Sequence, residues 1–275
     1  MINWFLGERV MKSWVIGNWK LNPTSLEQVQ HLVTDLVEGV DAQTRSMDNC
    51  HLMLAPSFLH LSPVQQALNA NSSTLKLAAQ DVSALSAESG AYTGDVSAKQ
   101  LKDMGVQWVI VGHSERRQYY KESNAVLLKK LLNSAEQGLG VILCIGESES
   151  DFEAGHTEQV LDEELQVIAD FLQQLKPEQA GYAEQNLIIA YEPVWAIGTG
   201  KVPSVEQVTQ IHRFIRQQLH SFDNKLDTTP VIYGGSVKPE NAADFAASDQ
   251  INGVLVGGAA LQADSFLAIA KCFNN

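Results

Sequence analysis

Residues 107–144, QWVIVGHSERRQYYKESNAVLLKKLLNSAEQGLGVILC, decide the fold. They open on 107–112 (QWVIVG), a nearly unbroken aliphatic run, and close on 139–144 (LGVILC), another. A half-exposed strand would alternate apolar and polar residues; continuous runs are strands covered on both faces. Between them, 123–138 carries leucines and a valine at helical spacing and stops at a glycine. Strand, helix, buried strand is the βαβ unit, and it predicts a parallel sheet.

The same grammar runs outward in both directions. Strands are predicted at 13–18, 51–55, 75–79, 107–112, 139–144, 187–191, 230–233 and 252–256. Helices are predicted at 24–40, 123–138, 157–175, 204–219, 239–247 and 264–273. Thr24 and Ser25 ahead of Glu27 give a helix start, and Pro239 suits a first helical position. The eight strands recur at about 34-residue spacing, near the roughly 30 residues a βαβ unit needs. Eight such units in one chain of this length predict a single-domain (β/α)8 barrel over 11–275. An open doubly wound sheet is the rival, but its Gly-rich first turn is absent: Asn18-Trp19-Lys20 stands there. The opening decapeptide MINWFLGERV, residues 1–10, reads as a leader or start-site extension outside the fold.

The charge balance, 19 Lys plus Arg against 32 Asp plus Glu, argues against nucleic acid and anionic membranes as partners. No apolar run reaches membrane-spanning length. Cys50, Cys144 and Cys272 are odd in number, far apart and without metal-ligand spacing, which points to free thiols in a reducing compartment.

In this architecture chemistry sits just past the C-terminal ends of the strands. There the sequence places Asn18 and Lys20, then Gly112-His113-Ser114-Glu115, Cys144-Ile145-Gly146-Glu147, Glu192-Pro193, Gly234-Gly235-Ser236 and Gly257-Gly258. A lone Glu, His or Lys at a strand end is most often a solvated or satisfied side chain. Polar, titratable and glycine residues at six rim positions are a different matter.

Five motifs, GNWKLN (17–22), GHSERR (112–117), CIGE (144–147), YEPVWAIGTGK (191–201) and YGGSV (233–237), stand in one order along the chain. Together they resemble the triosephosphate isomerase family, from about Met11 to the C-terminus. The resemblance implies the TIM barrel fold and interconversion of dihydroxyacetone phosphate and D-glyceraldehyde 3-phosphate, a glycolytic and gluconeogenic step. It implies no metal and no organic cofactor, a homodimer, and a cytoplasmic location. Such a reaction moves a proton between adjacent carbons through an enediolate. It needs a base at carbon and a polariser at the oxygens.

By resemblance, Glu192 is the base, with a pKa raised by an apolar surround, and neutral His113 serves the oxygens; this enzyme is itself a known case of such pKa tuning. Lys20 supplies positive charge and Asn18 a hydrogen bond. Gly198, Ser236, Gly257 and Gly258 hold the phosphate through backbone N–H groups, helped by a helix start after strand eight. Glu115 matches a position implicated in proton movement or in organising the site; a place in an ion-pair network fits it equally. Cys144 is read as packing near the base. Pro193, Val194, Trp195, Ala196, Ile197, Gly198, Thr199, Gly200 and Lys201 form the lid. The long polar loop 80–95 reaches a second subunit, with Thr93 near that subunit's Asn18 and Lys20. Three departures stand out: Ala260 where Ser is common, Pro203 near the lid's far hinge, and Phe152 where Arg is common and a salt bridge is then expected to be missing. A phosphate-binding aldolase barrel would need a Schiff-base lysine where Glu192 stands; a silent scaffold barrel would bind without turnover.

Overall fold

Eight parallel strands close into a barrel in the computed structural model, which describes residues 12–41, 47–86, 88–197 and 201–274. The expected leader, 1–10, lies outside the described residues. The strands are β1 Ser13–Asn18, β2 Cys50–Ala55, β3 Lys76–Ala79, β4 Trp108–Val111, β5 Gly140–Ile145, β6 Leu187–Tyr191, β7 Val231–Tyr233 and β8 Gly253–Val256. Each pairs with the next, and β8 closes on β1 through Trp14 opposite Gly253 and Val15 opposite Val254. The predicted strands all form, with ends shifted by a residue or so.

The continuous apolar runs now have a cause. On β5, Ile142 and Cys144 join the cluster inside the barrel, while Val141, Leu143 and Ile145 join the shell under the helices. On β6, Ile188 and Ala190 point in, and Leu187, Ile189 and Tyr191 point out. Both faces are dry, so both must be apolar.

Among the described residues the helices are α1 Leu26–Asp41, α2 Leu61–Ala70, α3 Ala98–Asp103, α4 Ser114–Tyr120, α5 Asn124–Glu136, α6 Glu149–Glu153, α7 Thr157–Gln174, α8 Tyr182–Asn186, α9 Val205–Phe222, α10 Pro239–Ala246 and α11 Ala263–Cys272. On α1 the buried residues Val29, Leu32, Val33, Leu36, Val37 and Val40 form one stripe at helical spacing. Sequence reading misses α2, α3, α4, α6 and α8. Neither α4 nor α6 has a fully buried residue, so neither carries a stripe to read. Among the described residues, no helix is long and apolar enough to cross a membrane.

Candidate active site

Side-chain parity carries each strand's inward face one step past its end. Asn18 continues Trp14 and Ile16, and Glu192 continues Ile188 and Ala190. Gly146 and Gly234 occupy the same step after β5 and β7. Both are glycine for lack of room: a Cβ on Gly146 would fall 1.7 Å from the Glu192 carbonyl oxygen, and one on Gly234 would fall 2.8 Å from Glu192 Cγ. The result is a cavity of about 600 Å3 at the C-terminal mouth of the barrel. Asn18, Lys20, His113, Glu192, Ile197, Ser236, Gly257 and Gly258 all line it.

Glu192 and His113 are in contact: Nε2 of the ring lies 3.0 Å from Oε1, and both side chains are almost fully buried. The other Glu192 oxygen accepts the Ser114 N–H at 2.9 Å. His113 caps α4, and its Nδ1 accepts the Glu115 N–H at 3.2 Å. A ring that accepts at Nδ1 has its proton on Nε2, so the geometry describes a neutral imidazole donating to a carboxylate.

The pair's acid–base balance departs from the expectation of a raised carboxylate. Burial does push the Glu192 pKa up, but His113, the Ser114 N–H and Lys20 outweigh it, and the net shift is downward. Burial likewise pushes His113 down, yet the Glu192 carboxylate carries its net shift upward. The upward shift of His113 holds only while Glu192 stays beside it. Once Glu192 turns to another partner, burial, the largest influence on the ring, and Lys20 act downward, and Glu115 alone acts upward.

Lys20 stands at φ +53°, a left-handed conformation that costs roughly 1–2 kcal/mol for a residue with a Cβ. Two side chains hold it there. Asn18 Oδ1 accepts its N–H at 3.0 Å, and Gln80 Nε2 donates to its carbonyl at 2.9 Å and to that of Ala55 at 2.8 Å. The Lys20 ammonium reaches Glu115 at 2.6 Å. Glu115 is thus in the ion-pair arrangement that its sequence position allowed. Gln80 was read only as the start of a loop; its signal was parity, since it is the first inward position after β3.

The wall of the cavity after β7 and β8 is rich in glycine. Gly257 and Gly258 follow β8, a 3-10 turn spans Gly258–Leu261, and the helix predicted at 264–273 starts at Ala263 as α11. The Ser236 hydroxyl donates to the Ala196 carbonyl at 3.1 Å, tying this loop to the lid segment. Lys238 also lines the cavity, a cation that the motif reading passed over. Among the described residues, no three His, Cys, Asp or Glu side chains gather as metal ligands do.

The chain has similar sequences among known proteins. The family model described as triosephosphate isomerase matches residues 13–273. A triosephosphate isomerase of Psychrobacter cryohalolentis is 50% identical over 268 residues, spanning 96% of this chain and 98% of that protein. One from Psychrobacter arcticus is 48% identical over the same shares, and one from Klebsiella pneumoniae 42% identical over 94% and 95%. The chain belongs to the triosephosphate isomerase family.

Three positions that depart from the triosephosphate isomerase pattern have local explanations. Phe152 stacks on Trp195 with ring centroids 4.4 Å apart, so an aromatic contact stands where the loss of a salt bridge was expected. The same indole donates to Glu147 at 2.8 Å. Pro203 is buried just ahead of the Ser204–Gln207 capping box that starts α9. Ala260 is buried against Gly17. Cys144 is buried in the barrel and its thiol pKa is pushed up by burial, which makes it inert as a nucleophile. Of the lid, Pro193 to Ile197 and Lys201 are described; Gly198, Thr199 and Gly200 lie outside the described residues. Thr93 is exposed in the 80–95 loop.

Proposed function

We propose that this chain interconverts dihydroxyacetone phosphate and D-glyceraldehyde 3-phosphate through an enediolate. Isomerase activity follows from the family; the division of labour is inferred from the geometry. The contact between a buried carboxylate and a buried imidazole at the cavity wall carries the reading. Substrate entering the cavity draws Glu192 from His113 to the carbon acid. Glu192 removes the proton from one carbon and, after partial exchange of that proton with solvent, protonates the next. The freed Nε2–H of His113 serves the two oxygens in turn, and Lys20 and Asn18 stabilise their negative charge. Ser236, Gly257, Gly258 and the lid's Gly198 take the phosphate. Chain-linked assay with a dehydrogenase reading product formation from glyceraldehyde 3-phosphate tests the reading, which predicts turnover proportional to enzyme; a folded, inactive chain would favour a silent binding barrel.

The lid stem, Pro193 to Ile197, is held by the bond from the Trp195 indole to Glu147, the bond from Ser236 to the Ala196 carbonyl and the Phe152 stack, among other contacts. An aromatic pair contributes about 0.5–1.5 kcal/mol, so Phe152→Ala should lower kcat/KM about two- to tenfold. Phe152→Tyr should restore it. Equal kcat/KM in all three proteins would show that the stack does not position the lid.

The working form we infer is a homodimer. Leu21 and Leu59 are about nine-tenths exposed and Tyr119 and Tyr120 about two-thirds, apolar surface that a second copy would cover. Thr93 on its loop would then approach the neighbour's Asn18 and Lys20. Light scattering should give twice the chain mass of 30.1 kDa; a stable, fully active monomer would refute this. A cytoplasmic location accords with the free thiols of Cys50, Cys144 and Cys272.

A further inference from the structure

Glu192 lines a second cavity, of about 360 Å3, that runs between α4, α6 and α7. Two charged side chains meet there, Arg117 of α4 and Glu164 of α7, with side chains only 17% and 16% exposed and NH1 3.3 Å from Oε1. The other Glu164 oxygen accepts the Gly146 N–H at 2.8 Å. Arg117 donates Nε to the Gly112 carbonyl at 3.1 Å, NH2 to the Cys144 carbonyl at 3.2 Å, and NH1 to Asn124 at 3.3 Å.

One ion pair therefore grips the backbone on both sides of the chemistry. The Gly112 carbonyl immediately precedes His113. Gly146 is packed against the Glu192 backbone without room for a Cβ, and the Ile145 carbonyl beside it accepts the Glu192 N–H at 2.8 Å. Moving Gly146 moves Glu192, and moving Gly112 moves His113. Neither Arg117 nor Glu164 reaches the substrate cavity.

We propose that Arg117 and Glu164 are positioning residues: as an ionised pair they set the His113–Glu192 geometry, and proton uptake by Glu164 relaxes it, giving turnover a pH response of its own. This rests on the isomerase reading above. The charged groups around Glu164 are Arg117 of α4, Glu192 after β6, Glu147 after β5 and Asp151 of α6; the thiol of Cys144 on β5 is also near, and α5 offers Arg117 only the uncharged Asn124. Burial pushes the Glu164 pKa up to about 7, against the pull of Arg117 and the Gly146 N–H, with Glu192 and Glu147 adding to the rise. The carboxyl thus changes charge near neutrality.

A purely structural ion pair would alter stability and leave the shape of the rate profile alone. Glu164→Gln separates the two, because Gln keeps an oxygen for the Gly146 N–H and cannot ionise. It stands in for the protonated state. The kcat and KM of both proteins are measured across the neutral range. In acid they should coincide; above neutrality the unaltered chain should have a kcat higher by about three- to tenfold, with KM within about twofold. Taking the ratio of the two profiles removes the ionisation of the substrate phosphate, common to both. The variant is expected to fold, which its circular dichroism and thermal transition check. A folded-state pKa above that of an exposed carboxyl means stability that is complete in acid and lost as pH rises through about 7, and Gln escapes that loss. Arg117→Lys gives the second arm: one ammonium with three donors cannot serve the four acceptors arranged around a planar fork, so kcat should fall at every pH with KM little changed. A ratio that stays constant with pH, or native kcat in both variants, overturns the bracket. Inactivity of the unaltered chain removes the isomerase reading on which it rests, a distinct result.

Discussion

Shortening Glu192 to Asp is expected to lower kcat by about 10²–10³-fold with little change in KM. Deleting one methylene draws the carboxylate back by about 1.5 Å. The backbone cannot follow it, because the Glu192 N–H is bonded to Ile145 and its carbonyl lies against Gly146. A misplacement of about 1 Å can reduce a positioned reaction 10²-fold. The lining that we propose takes the phosphate, Ser236, Gly257 and Gly258, is untouched, so substrate is expected to bind still. Steady-state kinetics with a phosphate-ion inhibition control would show this split. A variant with near-normal kcat would exclude Glu192 as the base.

Lys20→Met should damage both parameters: kcat by about 10²–10³-fold and KM upward by about tenfold. Lys20 and Lys238 are the cations lining the cavity among the described residues, in a chain of net charge −13. Without the ammonium, Glu192 and Glu240 face an anionic substrate with only Lys238 to oppose them. The backbone strain at residue 20 remains, since Asn18 and Gln80 still hold it, so the variant should fold. The contrast with Glu192→Asp is the useful part: one variant loses chemistry, the other chemistry and binding. An unchanged KM in Lys20→Met would mean that its charge does not reach the substrate. Raising the salt should also weaken substrate binding in the unaltered chain more than in the variant.

The barrel was legible because each strand is dry on both faces, and that leaves an unbroken aliphatic run such as VILC. Helices with a wide apolar stripe, such as α1, were legible for the same reason. The short helices α4 and α6 have no fully buried residue and gave no periodic signal. Strand-end motifs brought Asn18, Lys20, His113 and Glu192 to one cavity. What they did not carry was the direction of the acid–base shifts. An apolar surround is a local inference from neighbours in sequence, whereas the Ser114 N–H and His113 that pull Glu192 downward come from another strand. Gln80 and Glu164 were passed over likewise, since each acts through a backbone group distant in sequence. Phe152 read as a missing charge because its partner, Trp195, lies on the next βα loop.

The most direct test of the enediolate account is turnover in D2O, with the position of deuterium in the product read by proton NMR. Proton removal by Glu192 exposes the abstracted proton to solvent, so the account predicts enzyme-dependent conversion with deuterium at the newly protonated carbon in part of the product. Conversion that leaves that carbon free of deuterium throughout would indicate direct hydride transfer and contradict it, as would the absence of enzyme-dependent conversion.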